Sequence, residues 1–300
     1  MSTGTDPLAP LAELPGVPEA VAEVRKAVDR LYGHRVMRRR APEVTSEAAL
    51  RGARASAALD GADWPLEEVR RRSDFGADRE ARTVGAALRI SAEAGQLLSV
   101  WRHSPLQVLA RLHLLAAGDA DDSAGRPRHA GETAEVLFPL ELPAAEGVAS
   151  GGAGAGGAGW AVELPAAPGA EEVAARLDQL SQLLVARTER PTGGAPALVV
   201  AAVVHGELLA LRPFSSHNGV IARAAQRIVL IAEGLDPKAI CPAEVGLAEL
   251  GTGAYRRALA GYLAGSPEGM AEWIGHCGQA LRLGVRESTA VCEAMQRGMV

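Results

Sequence analysis

Aromatic side chains are scarce in this sequence, at 3% of 300 residues. Hydrophobic residues nevertheless make up 48%, much of it alanine. A core filled by small side chains calls for closely packed helices, since no large rings are available to close wider gaps. An excess of one charge is also missing: 31 basic and 36 acidic residues are mixed along the chain, for a net charge of −5. That excludes the extended basic surface of a nucleic-acid-binding protein. The one basic cluster, residues 35–40, reads as a solvated helix end. Cysteine is limited to Cys241, Cys277 and Cys292, far apart and without a CxxC pair. A disulfide framework and a zinc cluster are therefore not expected, and a reducing cytoplasm is. The N-terminus lacks the basic start and apolar stretch of a secretory signal. The longest apolar run, residues 195–211, carries His205 and Glu207 and is too short to span a bilayer, so no membrane partner is expected.

What is present is mostly helical periodicity. Val21, Val24, Val28 and Leu31 fall on one face. A second helix is expected over residues 46–59, and a long one over 77–101 with Val84, Leu88 and Leu97 inward. Ser104 followed by Pro105 is an N-cap with proline in the first turn, opening another helix to about residue 117. The periodicity then stops. GRPR at 125–128 and VLFPLEL at 136–142 predict a loop and one or two short strands. GVASGGAGAGGAG, 147–159, reads as a flexible linker and not as a phosphate loop, because no Lys-Ser/Thr follows it and no helix opens at its end. Helices resume at about 170, with Val173, Leu177, Leu180 and Leu184 on one face. The run at 195–211 is apolar all round, as a buried central helix would be. A further helix ends at Gly234, and two more are expected over 253–264 and 267–295. Residues 1–16 are expected to be disordered. The rest reads as a single mainly α domain with a core at about 170–235, an excursion at 118–169 and C-terminal helices at about 253–297.

The break between the central helix and its successor reads RPFSSHNGVIAR, from Arg212 to Arg223. A helix N-terminus leaves backbone N–H groups without partners and carries partial positive charge. Asn218 and Gly219 can turn such N–H groups toward one anion, and Arg223 lies one turn further on the same helix. A phosphate is the natural ligand.

These residues resemble a degraded copy of the Fic (Fido) domain signature, His-Pro-Phe-x-Asp/Glu-Gly-Asn-Gly-Arg-x-x-Arg. Pro213, Phe214, Asn218, Gly219 and Arg223 match it. Arg212 stands at the catalytic histidine, Ser216 at the acidic residue, His217 at the first glycine and Val220 at the first arginine. PLQVLARLHLLAAG followed by GRPR is similar to the helix and the start of the target-docking flap. SAALDG, Ser56 to Gly61, is similar to the inhibitory motif Ser/Thr-x-x-x-Glu-Gly/Asn, with Asp60 for glutamate, in an inhibitory region at about 46–61. The resemblance covers roughly residues 46–275 and implies a helical bundle with a short β-hairpin flap. It also implies transfer of AMP, or another phosphate-bearing group, from ATP with Mg²⁺ to a protein hydroxyl.

The substitutions argue against that chemistry. A general base must give up its proton near neutral pH, which arginine, with a pKa above about 12, does not do. A serine hydroxyl is a weak ligand for Mg²⁺. The expectation is a pseudoenzyme with a nucleotide-binding, phosphate-binding or regulatory role, no intact catalytic residue, no metal site and no required cofactor. Its partner would be a protein target or regulator, with a nucleotide as ligand. The phosphate-binding candidates are Ser216, His217, Asn218, Gly219 and Arg223. The inhibitory candidates are Ser56, Asp60 and Gly61, with Asp60 either paired to Arg223 as the resemblance implies or simply capping its helix. Two alternatives stand beside this reading: an active transferase in which His217 serves as a substitute base, and a helical interaction module with no ligand. His205, His113 and His276 read as core histidines.

Overall fold

Helix α1, Val17–Tyr32, buries the expected stripe of Val24, Val28 and Leu31. The structure, a computed structural model, describes residues 6–118, 121–148, 162–188 and 194–299. The N-terminal segment differs from expectation: from Asp6 onward it is ordered. The Asp6 carboxylate pairs with Arg187 and accepts from the Ala195 amide at 2.7 Å, and residues Ala9–Glu13 form a 3₁₀ turn. A charged tether of this kind leaves no periodicity in the sequence. Residues 1–5 lie outside the described residues, as do 149–159 of the glycine-rich linker.

The basic cluster forms a second 3₁₀ turn, Arg35–Arg38, that points its arginines outward and buries Val36 and Met37. Helix α2 (Ala41–Leu59) begins earlier than expected, with Pro42 in its first turn. Helix α3 (Leu66–Arg71) follows. The helix expected over 77–101 is two: α4 (Arg79–Glu93), capped by the Asp78 carboxylate on the Ala81 amide, and α5 (Leu98–Trp101). A turn containing Gly95 separates them, where helix propensity is lowest. Helix α6 (Pro105–Ala117) starts where Ser104-Pro105 placed it.

The segment 121–148 was expected to hold a β-hairpin flap, and among the described residues there is no strand. Its backbone groups bond to other parts of the chain instead. The Arg128 amide donates to the Pro213 carbonyl, Glu135 to Ser215 and Ala145 to Glu249, while Leu142 exchanges bonds with Thr252. Pro139 and Pro143 lack donors, and Phe138 sits at φ 58, so no regular ladder forms.

Helix α7 (Ala170–Thr188) leads into α8 (Ala197–Leu211), which is buried on almost every side, and α9 (Asn218–Ala232) packs along it. Helix α10 (Ala243–Leu250), short and apolar, was not foreseen. Helices α11 (Thr252–Ala264) and α12 (Pro267–Gln296) fall where expected. Small residues do set the packing distance: a side chain on Gly246 of α10 would overlap the Ala280 carbonyl of α12. The three cysteines are buried and free. Among the described residues no helix is long and apolar enough to cross a membrane.

Candidate functional site

Helix α8 ends at Arg212, which takes a left-handed conformation, φ 43 and ψ 64. Its guanidinium turns outward to the Pro165 carbonyl, and its Nε has no partner. The exposed carbonyls at this end are taken by another arginine. Arg128, buried, donates to the Arg212 carbonyl at 2.8 Å and to the Leu211 carbonyl at 3.2 Å, besides Pro168 and Glu132. A cation at a helix C-terminus satisfies orphan carbonyls and opposes the dipole. Burial, and then Arg128, pull Arg212 below the ordinary arginine range.

The loop 212–217 is clamped by Asn218. Its amide oxygen accepts from the Phe214 amide at 2.9 Å, and its nitrogen donates to the Phe214 carbonyl at 2.8 Å. Asn218 is 1% exposed. Its side chain therefore holds the loop, and its nitrogen also reaches the Glu135 carboxylate at 3.4 Å. Gly219 departs from expectation. It lies inside α9 and outside the left-handed region. A Cβ there would sit 2.5 Å from the Asp60 carboxylate and 3.0 Å from Arg223, so glycine is needed for side-chain clearance. The residue that takes the left-handed turn is His217, at φ 60.

Arg223 and the end of α2 come together. Arg223 Nε donates to Ser56 Oγ at 2.8 Å, and Nη2 reaches the Ser56 carbonyl at 3.0 Å and Asp60 Oδ1 at 2.8 Å. The Tyr255 hydroxyl is a further partner. Asp60 is both the residue that closes α2 and a counter-ion, and no water is needed to span the shorter side chain. Gly61, at φ 99, turns the chain away against Pro139.

A cavity of about 500 Å³ opens beside this pair. Its walls include Asp60, Arg79, Arg82, Arg89, Glu135, Ser216, His217 and Val220, and Arg212 is not among them. Ser216 Oγ lies 2.9 Å from His217 Nδ1 and 3.3 Å from His113 Nε2. Because His113 Nδ1 accepts from the Gly125 amide, its Nε2 carries the proton and donates to Ser216, leaving the serine proton for His217. Burial holds His217 below its ordinary pKa and pushes His113 down to about 4, so both imidazoles are neutral at neutral pH. His113 also stacks on Phe214 at 4.2 Å. His205 is a core histidine bonded to Tyr255, and His276 is half-buried with its Nε2 unpartnered.

The α9 N-terminus faces an anion supplied by the chain itself. The Glu135 carboxylate accepts from the backbone amides of His217 and Asn218. Burial, then the neighbouring Asp60, raise its pKa to about 7 against the opposing effect of those amides.

No family model matches the sequence, and no curated protein does. Solved structures do match. A Fic family protein from Desulfovibrio desulfuricans superposes with a TM-score of 0.66 at 22% identity, over 92% of this chain and 75% of that one. Fic-1 from C. elegans gives 0.59 at 14% identity, over 93% and 73%. A Fic domain containing signaling protein from Bacteroides thetaiotaomicron gives 0.59 at 12%, over 92% and 97%. This chain has the Fic fold. Within that fold, RPFSSHNGVIAR forms the end of one core helix, the loop and the start of the next, and SAALDG ends a helix packed against it. Sequence reading of the Fic motif missed Arg128, Glu135 and Tyr255. Arg128 lay within GRPR, but its role needed the position of α8. Glu135 and Tyr255 carried no local signal.

Proposed function

We propose that this chain is a Fic-fold protein without transfer chemistry, whose pocket serves recognition or regulation, with a phosphate-bearing ligand such as a nucleotide as occupant. One observation carries the reading. At the end of α8, where a proton acceptor would have to stand, Arg212 turns its guanidinium to the Pro165 carbonyl, outside the cavity wall. A permanent cation there accepts no proton. The cationic wall of Arg79, Arg82 and Arg89 suits an anionic ligand. Mg²⁺ does not fit the donor set. Asp60 is paired to Arg223, Glu135 is bonded to two amides, and Ser216 offers only a hydroxyl already held by two imidazoles. No catalytic step is assigned to a metal. The partner is a protein target or regulator, in the cytoplasm, where three buried free thiols are at home.

A second reading has an observation of its own. His217 lines the cavity, is neutral, and shares a hydrogen bond with Ser216, so it meets the local requirements of a base. Incubation with α-labelled ATP and Mg²⁺ separates the two. No label on the chain or on added protein supports the first reading. Label that disappears in His217→Ala supports the second. Calorimetry with ATP, ADP and AMP tests for any occupant, and a flat trace with all three leaves only a ligand-free interaction module. The combined changes Arg212→His, Ser216→Asp, His217→Gly and Val220→Arg should restore transfer. A folded quadruple variant that stays silent counts against this pocket as a relic of transfer chemistry.

A further inference from the structure

The α9 N-terminus is the place where an incoming anion would bind, and Glu135 is already there. Its carboxylate takes the amides of His217 and Asn218, and its own backbone amide donates to the Ser215 carbonyl at 3.1 Å. The next residue, Val136, is 80% exposed on the rim of the cavity, while Leu137 and Phe138 beyond it are buried. Backbone N–H groups at a helix start can serve one anion at a time.

We propose that Glu135 is a latch: the seated segment 132–138 and an anionic ligand at the α9 N-terminus exclude each other. This rests on the reading of the cavity as a phosphate-recognising pocket, and adds its control. Glu135 lies beside the Asp60–Arg223 pair on the same cavity, but it holds a backbone amide of the helix start whereas Asp60 holds a side chain. The consequence is reciprocal. A protein that draws the exposed Val136 face away removes Glu135 and opens the anion site, and an anion that enters releases the segment for that protein. The coupling then runs between two identified sites through a single carboxylate. Arg82, on the same cavity, is held among the described residues only by the Gly76 carbonyl at 3.4 Å, whereas Arg89 is bonded to the Leu115 and Ala116 carbonyls.

The test uses inorganic pyrophosphate as the probe and isothermal calorimetry of the full chain as the readout. Glu135→Ala should bind pyrophosphate about tenfold more tightly than the unmodified chain, the effect of removing one competing charged contact. Glu141→Ala, a carboxylate just beyond that segment and outside the cavity wall, should leave affinity unchanged. Hydrogen exchange over 132–138 should rise when pyrophosphate is added to the unmodified chain. Should Glu135→Ala fail to fold, Glu135→Gln, which keeps shape and an acceptor while losing charge, must show a gain of at least about threefold. Equal binding by all three chains overturns the latch and leaves the pocket reading standing. Absence of binding in every folded chain overturns both.

Discussion

Replacing Asp60 by alanine removes the counter-ion of a fully buried cation, and the structure sets the cost. The Arg223 side chain is 1% exposed and the Asp60 side chain 22%. Removing one member of a buried pair typically costs about 3–5 kcal/mol, mostly for the charge left behind. Two features reduce that here. Asp60 reaches solvent, so water can follow into the space it leaves. Arg223 also keeps Ser56 Oγ, the Ser56 carbonyl and Tyr255. The expected loss is therefore about 2–3 kcal/mol at neutral pH. Asp60→Asn, which keeps an oxygen acceptor, should lose about 1 kcal/mol. Urea unfolding followed by far-ultraviolet dichroism measures this, with the slope against denaturant unchanged. The double variant with Arg223→Met should show a coupling of about 2 kcal/mol, little affected by added salt because the pair is buried. A loss below about 0.5 kcal/mol in Asp60→Ala would refute the reasoning. It would mean that Arg223 is satisfied by Ser56 and Tyr255 alone, and that Asp60 merely closes α2.

Three further expectations follow from the site. Asn218→Ala strands the Phe214 amide and carbonyl in a buried loop and should cost about 2–3 kcal/mol in the same assay. Gly219→Ala should cost about 2 kcal/mol by pushing Asp60 off Arg223, and much less in the Asp60→Ala background, because the clash is with the removed carboxylate. Glu135 binds its proton more tightly in the folded chain, with a pKa near 7 against an ordinary 4.5. Its contribution to stability is therefore fully present below about pH 4.5 and lost as pH rises toward 7. His113 and His276, both pushed down to about 4, act in the opposite sense over much of that range. Urea unfolding as a function of pH should thus show a difference between Glu135→Gln and the unmodified chain that changes between pH 4.5 and 7 and is flat above.

Much of the fold was legible because it is written locally. Apolar residues at helical spacing placed α1 and α7, and an unbroken apolar run placed α8, within a turn of their observed positions. Capping residues placed the start of α6. The errors fell where the deciding partner is distant. The expected hairpin is an irregular segment because its donors and acceptors are used by Pro213, Ser215, Glu249 and Thr252. The N-terminal segment is ordered because Asp6 meets Arg187. Within the loop, two residues have packing roles that the motif did not state. Asn218 holds the loop, and Gly219 makes room for a carboxylate from another helix.

The sequence by itself determined a mainly helical chain built on small side chains, with one buried helix and a break at Arg212-Pro213 where an arginine stands. These depend on composition and on spacing along the chain. Only the tertiary structure decided that Asp60 meets Arg223, that Arg128 closes α8, and that Glu135 occupies the α9 N-terminus. Those contacts join residues more than 80 positions apart. Partners at that separation are chosen by how the helices pack, and packing is a property of the whole core.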